Sequence, residues 1–308
     1  MQNRRQFLKH SLATIAWLQL SNSSLMAKEN FKEEISILHT NDVHSRIEPF
    51  PETDKKYPGM GGAAMRSTYI NQIRTTAKNT LLLDAGDIFQ GTPYFNFFNG
   101  SVEIELMNAM GYDCATIGNH DFDGGIENLK QQIKKANFPF VNCNYDFSKS
   151  ILNNVVHKHI IIHKGKLKIG ITGCGVELNG LVPEKLCEGV VYNDPVLAVQ
   201  HEVDILKNNK KCDLIIVLSH LGYEYKNEKI SDIKLAQQTE NIDIIIGGHS
   251  HTFLDEAKTI KNKTQKDVLI NQVGWAGLYL GKIDIKFEKK TKKISSKSHI
   301  VIIGRNAS

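Results

Sequence analysis

The 308-residue chain has five cysteines, Cys114, Cys143, Cys174, Cys187 and Cys212, and no Cys-x-x-Cys pair among them. An odd count without that spacing argues against both a disulfide framework and a thiolate zinc site, although a single disulfide stays open. Strong charge of either sign is also missing. The formal net charge is +5, and without Arg4, Arg5 and Lys9 the 35 basic residues face 33 acidic ones, a net of +2. No basic stripe is interleaved with aromatics, and the run Lys289, Lys290, Lys292, Lys293 reads as a solvated turn between strands. No nucleic-acid partner is therefore expected. Nor is there a repeat, a low-complexity tract or a long linker, so residues 33–308 read as one domain. The one uncharged stretch near the start, residues 12–20, is too short to span a bilayer comfortably, and no cysteine follows it to carry a lipid, so no stable membrane anchor is expected.

Residues 1–27 have the build of an export signal: a basic start, an apolar centre, then small polar residues leading to Ala27. The start, Asn3-Arg4-Arg5-Gln6-Phe7-Leu8-Lys9, resembles the twin-arginine consensus, whereas Leu25 is an imperfect residue three positions before the cut. A twin-arginine-type signal and a periplasmic or extracellular destination are the expectation. The hydrophobic fraction, 41%, is ample for a globular core.

Beyond residue 28, short β-rich runs alternate with amphipathic stretches, which predicts an α/β fold. Strands are expected at 35–39, 80–84, 114–117, 140–142, 213–219 and 242–246, with a hairpin over 157–172. Helical spacing covers 63–77, 102–110, 126–136, 195–208 and 230–239. Five expected strands run straight into metal-capable residues: Asn41-Asp42-Val43-His44, Gly86-Asp87, Gly118-Asn119-His120-Asp121, Ser219-His220 and Gly248-His249-Ser250-His251. One such tip means little, because short polar residues commonly end strands. Five that meet at the carboxyl ends of neighbouring strands would assemble carboxylate, amide and imidazole donors in one crevice. Such a mixed oxygen and nitrogen set suits manganese, zinc or iron better than magnesium or calcium.

These blocks, in this order, resemble the metallophosphoesterase domain of the bacterial 5'-nucleotidase family, which also holds UDP-sugar hydrolases and 2',3'-cyclic-nucleotide phosphodiesterases. Gly61-Gly62-Ala63-Ala64-Met65-Arg66 and Leu83-Asp84-Ala85-Gly86-Asp87 belong to the same likeness. The resemblance implies a calcineurin-like four-layer α/β/β/α sandwich of two mixed sheets and two divalent metal ions. It implies Asp42, His44 and His251 on the first metal, Asp87 as the bridge, and Asn119, His220 and His249 on the second. A hydroxide between the metals would attack a small phosphoester, a nucleotide by family analogy. His120, paired with Asp123, would act as a catalytic residue and contact the substrate together with Asn119. Alternatives within and beyond that chemistry are a thiosulfohydrolase of sulfur oxidation and a non-catalytic exported metal- or partner-binding subunit.

The other candidates read as structural. His157, His159 and His163 alternate along a hairpin face, and Asp121 is a turn or cap residue. His39 and Asp84 are expected to support the site without binding metal, and Arg46 and Arg66 are weak candidates for phosphate contact. The aromatics Phe89, Tyr94, Phe95, Phe97 and Phe98 either pack on the domain or line an entrance, with packing preferred. Two-domain relatives grip the nucleotide with a C-terminal domain that has no counterpart before Ser308. A separate chain supplying that module is therefore a possible partner.

Overall fold

The structure, a computed structural model, describes residues 32–304 apart from 290 and 292. The expected signal, residues 1–27, lies outside the described residues, as do Lys290 and Lys292 of the basic run. In chain order the first half comprises β1 (Lys32–Thr40), α1 (Ala63–Thr76), β2 (Thr80–Asp84), α2 (Pro93–Phe98), α3 (Ser101–Met110), β3 (Cys114–Ala115), α4 (Ile126–Lys135) and β4 (Tyr145–Asp146). The hairpin β5 (His159–Lys164) and β6 (Leu167–Gly175) follows, then β7 (Val191–Tyr192), α5 (Pro195–Asp204), β8 (Leu214–His220), α6 (Asp232–Gln238) and β9 (Ile244–Gly247). The strands β10 (Lys258–Lys261), β11 (Asp267–Asn271), β12 (Tyr279–Glu288) and β13 (Lys293–Ile302) complete the chain.

Two mixed sheets form, in the orders β13-β12-β1-β2-β3 and β10-β11-β9-β8-β6-β5, with β4 and β7 as a separate pair. The alternating faces of the apolar strands explain the layering. Along β8, Leu214, Ile216 and Leu218 meet Ile35, Ile37, Leu81 and Leu83 of the opposite sheet. The intervening Ile215 and Val217 pack beneath Val199, Val203 and Leu235 of the helices outside. On the other flank, Leu38 and Leu82 carry Ile70, Ile104, Met107 and Leu129. Each such fully buried side chain stabilises the fold by roughly 1.5–3 kcal/mol, and both faces of each sheet contribute. The result is the four-layer α/β/β/α sandwich.

Local departures from the expected elements have local causes. Of residues 140–142, Phe140 and Val141 form isolated bridges in place of a strand, because Asn142 Oδ1 accepts from the N–H groups of Asn144 and Tyr145 and turns the chain. The helix expected over 195–208 ends its α-helical part at Asp204 and runs on as a π-helical segment, Ile205–Asn209. Ser231 caps α6 by accepting from Lys234 N–H, so that helix starts at Asp232. The helix α2 had no apolar spacing to announce it; Pro93 starts it and left-handed Asn99 ends it. All five cysteines are free. No helix among the described residues is long and apolar enough to cross a membrane.

Candidate metal centre

β1, β2 and β3 run parallel in one sheet, and β8 and β9 run parallel in the other. Their carboxyl ends open onto one edge of the sandwich, so tips from both sheets meet there. Two glycines show why the chain can be drawn so close. A Cβ on Gly86 would lie 2.6 Å from Gly118 N, and one on Gly118 would lie 2.2 Å from Asp87 Oδ1. The loops are also strained: Asp42, His44, Asp87, His249 and His251 all have positive φ, between 50° and 73°. For a residue with a Cβ this left-handed conformation costs about 1–2 kcal/mol, and such strain gathers where structure serves a site.

The donors fall into two groups, Asp42 with His44 and His251, and Asp87 with His220 and His249, the candidate ligand atoms in each within 4.8 Å of one another. Asp87 lies between them, its Oδ2 3.0 Å from His220 Nε2 and 3.8 Å from His44 Nε2. Asn119 joins the second group, its Oδ1 2.8 Å from His249 Nδ1. The structure thus brings all seven residues expected around the metals together at one edge of the sandwich.

Hydrogen bonding indicates that these groups fit divalent cations. The Ala85 carbonyl can only accept, so His220 donates Nδ1–H to it at 2.7 Å and turns Nε2 toward Asp87 and Asp42. His44 likewise donates Nδ1–H to the Gln90 carbonyl and points Nε2 at His251 Nε2, 3.1 Å away. Two nitrogens about 2.1 Å from a shared metal stand roughly 3.0–3.4 Å apart, and a carbonyl behind the ring is the usual partner of a metal-binding imidazole. Lone pairs converging on carboxylates require a cation between them. Burial alone would lower the His220 pKa, but without a metal Asp87 and Asp42 push it up to about 10. Burial would raise Asp87, yet His220, then His44 and His120, hold it below the usual carboxylate range. A proton on His220 thus stands where a metal fits. Burial lowers His44 and, with His220, takes His249 down to about 4, so both rings stay neutral donors.

His120 lies beside this floor without joining either group. Its Nδ1 donates to Asp123 Oδ2 at 2.8 Å, and that bond raises its pKa against partial burial. Its backbone N–H donates to Asp87 Oδ1, and its ring is 5.3 Å from that of His44. The residues expected to be structural take up distinct places around it. Asp84 holds the turn after β2, accepting from Thr40 Oγ1 and Gly86 N. His39 contacts Asn271 at 3.2 Å and none of the seven donors. His159 pairs with Glu202. Phe89 and Phe95 are buried, whereas Phe97 and Phe98 are exposed.

Two residues with a part in the site's geometry, Gln272 and Trp275, escaped the sequence reading, and a third, Asp121, was read only as a turn or cap. Asp121 is fully buried and accepts from the N–H groups of Asp87, Ile88, Phe89 and Gly118, so it anchors the loop carrying Asp87 and does more than cap a turn. Gln272 accepts from Thr252 N and Ser250 Oγ and donates to Gly248 O, gripping the loop of His249 and His251. A buried amide ending an apolar strand was the available signal. Trp275 stacks on His251, with centroids 5.7 Å apart and planes 7° apart; nothing near it in sequence announces that contact.

The family model described as calcineurin-like phosphoesterase matches residues 35–253. The snake venom 5'-nucleotidase of Gloydius brevicauda is 32% identical over 89% of this chain and 49% of its own length. The structure of a 5'-nucleotidase precursor from Thermus thermophilus superposes with a TM-score of 0.82 at 31% identity, covering 90% of this chain and 56% of that one. Calcineurin-like phosphoesterase YfkN from Bacillus subtilis gives 0.72 at 28% identity, over 88% and 91%. The chain spans about half the length of the snake venom relative. With donors grouped at the strand ends and a family match across most of the sandwich, the chain belongs to the calcineurin-like phosphoesterase family.

Proposed function

We propose that this protein is a dinuclear-metal-dependent phosphoester hydrolase of 5'-nucleotidase type, acting on nucleoside monophosphates or related small phosphoesters. The single observation carrying this reading is the pair of donor groups sharing Asp87, with the His120–Asp123 pair beside them. Asp42, His44 and His251 would hold one metal and Asn119, His220 and His249 the other, with the Asp87 carboxylate lying between the two groups. Bound there, two divalent cations supply Lewis-acid polarisation and lower the pKa of water. Asp123 fixes the His120 tautomer and favours the imidazolium. As a water-derived oxygen bonds to phosphorus and the ester P–O bond breaks, His120 gives its Nε2 proton to the departing alkoxide. Asn119 adds its amide at the same phosphoryl group. We place the domain at residues 33–308 and read residues 1–27 as a twin-arginine-type signal directing it out of the cytoplasm.

The test is phosphate release from adenosine monophosphate and p-nitrophenyl phosphate by protein stripped of metal and reloaded with manganese, zinc or iron(II). Activity should return at two metals per chain. His120→Ala should lower turnover by about 10²- to 10⁴-fold while keeping both metals. Loss of a metal in that variant would remove the role given to His120, and a fully loaded enzyme inert on both esters would remove the proposed reaction.

A further inference from the structure

We infer that Arg46 is the cleft's own anion contact and makes the site selective for dianionic phosphomonoesters. The inference rests on the phosphoesterase reading above. A cavity of about 240 Å³ opens over the metal centre, and His44, His120, His251, Gln90, Trp275 and Arg46 line it. Small-molecule pockets that enclose a whole ligand run from roughly 300 to 1,000 Å³, so this one fits the phosphate end of a substrate and leaves the remainder outside. Recognition within it must therefore act on phosphate charge.

Arg46 is the side chain in that lining with a permanent positive charge. Its guanidinium carbon sits 4.2 Å from the centre of the Phe50 ring, which holds it by cation–π attraction. Phe50 is buried and meets Trp275 edge-on at 6.0 Å, so the support beneath the cation is packed. No carboxylate among the described residues lies within ion-pairing distance of Arg46, and Asp54 feels it at longer range. Its planar donor fork has no carboxylate to occupy it, and a guanidinium matches two phosphate oxygens at once.

The second candidate arginine shows the contrast. Arg66 is buried, its Nη1 so close to Gly277 that a Cβ there would come within 2.0 Å, and with Glu103, Asp84 and Arg46 itself it lines a small cavity that none of the seven metal donors lines. Its charge cannot reach a substrate over the metals. Arg46, which lines the same cleft as His120 and has no acid within ion-pairing distance, is left to meet the second negative charge that distinguishes a monoester from a diester.

The experiment compares metal-loaded wild type, Arg46→Gln and Arg46→Lys. At pH 8, Arg46→Gln should weaken inorganic phosphate binding, measured by calorimetry, about tenfold with two metals retained. The same variant should raise KM for p-nitrophenyl phosphate about tenfold, and for bis(p-nitrophenyl) phosphate less than threefold, with kcat changed little. Arg46→Lys should recover only part of the loss, because a point charge lacks the fork. Equal effects on both esters, or unchanged phosphate binding, would overturn the role of Arg46 even in an active enzyme. Arg46-dependent phosphate binding by an enzyme that hydrolyses neither ester would instead remove the proposed reaction and leave the anion contact standing.

Discussion

Trp275 lies flat on His251, the donor whose side chain is the most exposed of the histidines around Asp42, at 40% against 9% for His44. An exposed imidazole has free rotamers to lose when it binds a metal, and a ring stacked on its face removes that freedom in advance. Trp275→Ala should therefore weaken the metal held by Asp42, His44 and His251 about tenfold, and Trp275→Phe should restore most of it. Calorimetric titration with manganese checks this: a role for Trp275 in positioning His251 fails if both variants bind like wild type. The donors themselves were legible as residues because each follows a run of apolar β-formers, where a carboxylate or imidazole has no packing purpose. Trp275 was not legible, since its partner lies 24 positions away and a tryptophan near a strand reads as core.

At the scale of elements, the loop Gly248-His249-Ser250-His251-Thr252 holds two residues in left-handed conformation, and little of its own sequence supports that. Gln272, at the end of β11, supplies the support by bonding to Gly248 O, Ser250 Oγ and Thr252 N. Gln272→Leu fills similar space and leaves Thr252 N without its acceptor, whereas Gly248 O keeps Ser250 N and Ser250 Oγ keeps Tyr223 N and Thr252 Oγ1. At about 1–3 kcal/mol for a buried group left unsatisfied, the variant should lose about that much stability in urea unfolding and release metal more readily. A variant as stable as wild type would show that the loop holds its own shape. Asp121 plays the matching part for the Asp87 loop through four backbone N–H groups. Most strands and helices were legible within a few residues from their periods, α2 and the stretch 140–142 being the exceptions. These clamps were not, because a side chain reaching across 20 or more positions to a backbone amide leaves no periodic trace.

At the scale of the whole molecule, the apolar strand pattern carried the fold, since residues covered on both faces read as continuous hydrophobic runs. A buried histidine interrupts the layer around β1. His39 is fully buried where β1 pairs with β12, its ring lying over Gly281, where a Cβ would come within 2.1 Å. Its Nε2 accepts from Asn271 Nδ2 at 3.2 Å, and its Nδ1 has no partner. Burial lowers its pKa from 6.5 to about 3. A base depressed in this way binds its proton in the unfolded chain before the folded one. The sandwich therefore has its full stability from this residue above pH 6.5 and loses it progressively as pH falls toward 3. Each unit below 6.5 costs about 1.4 kcal/mol, or about 2 kcal/mol by pH 5. His39→Gln keeps an acceptor for Asn271 and removes the titration, so its stability should fall about 2 kcal/mol less than that of wild type between pH 7.5 and pH 5. Urea unfolding of both proteins at these two pH values measures the difference, in which the protonation of the metal-binding histidines common to both cancels. Parallel slopes for the two would show that His39 takes its proton without opening the contact between β1 and β12.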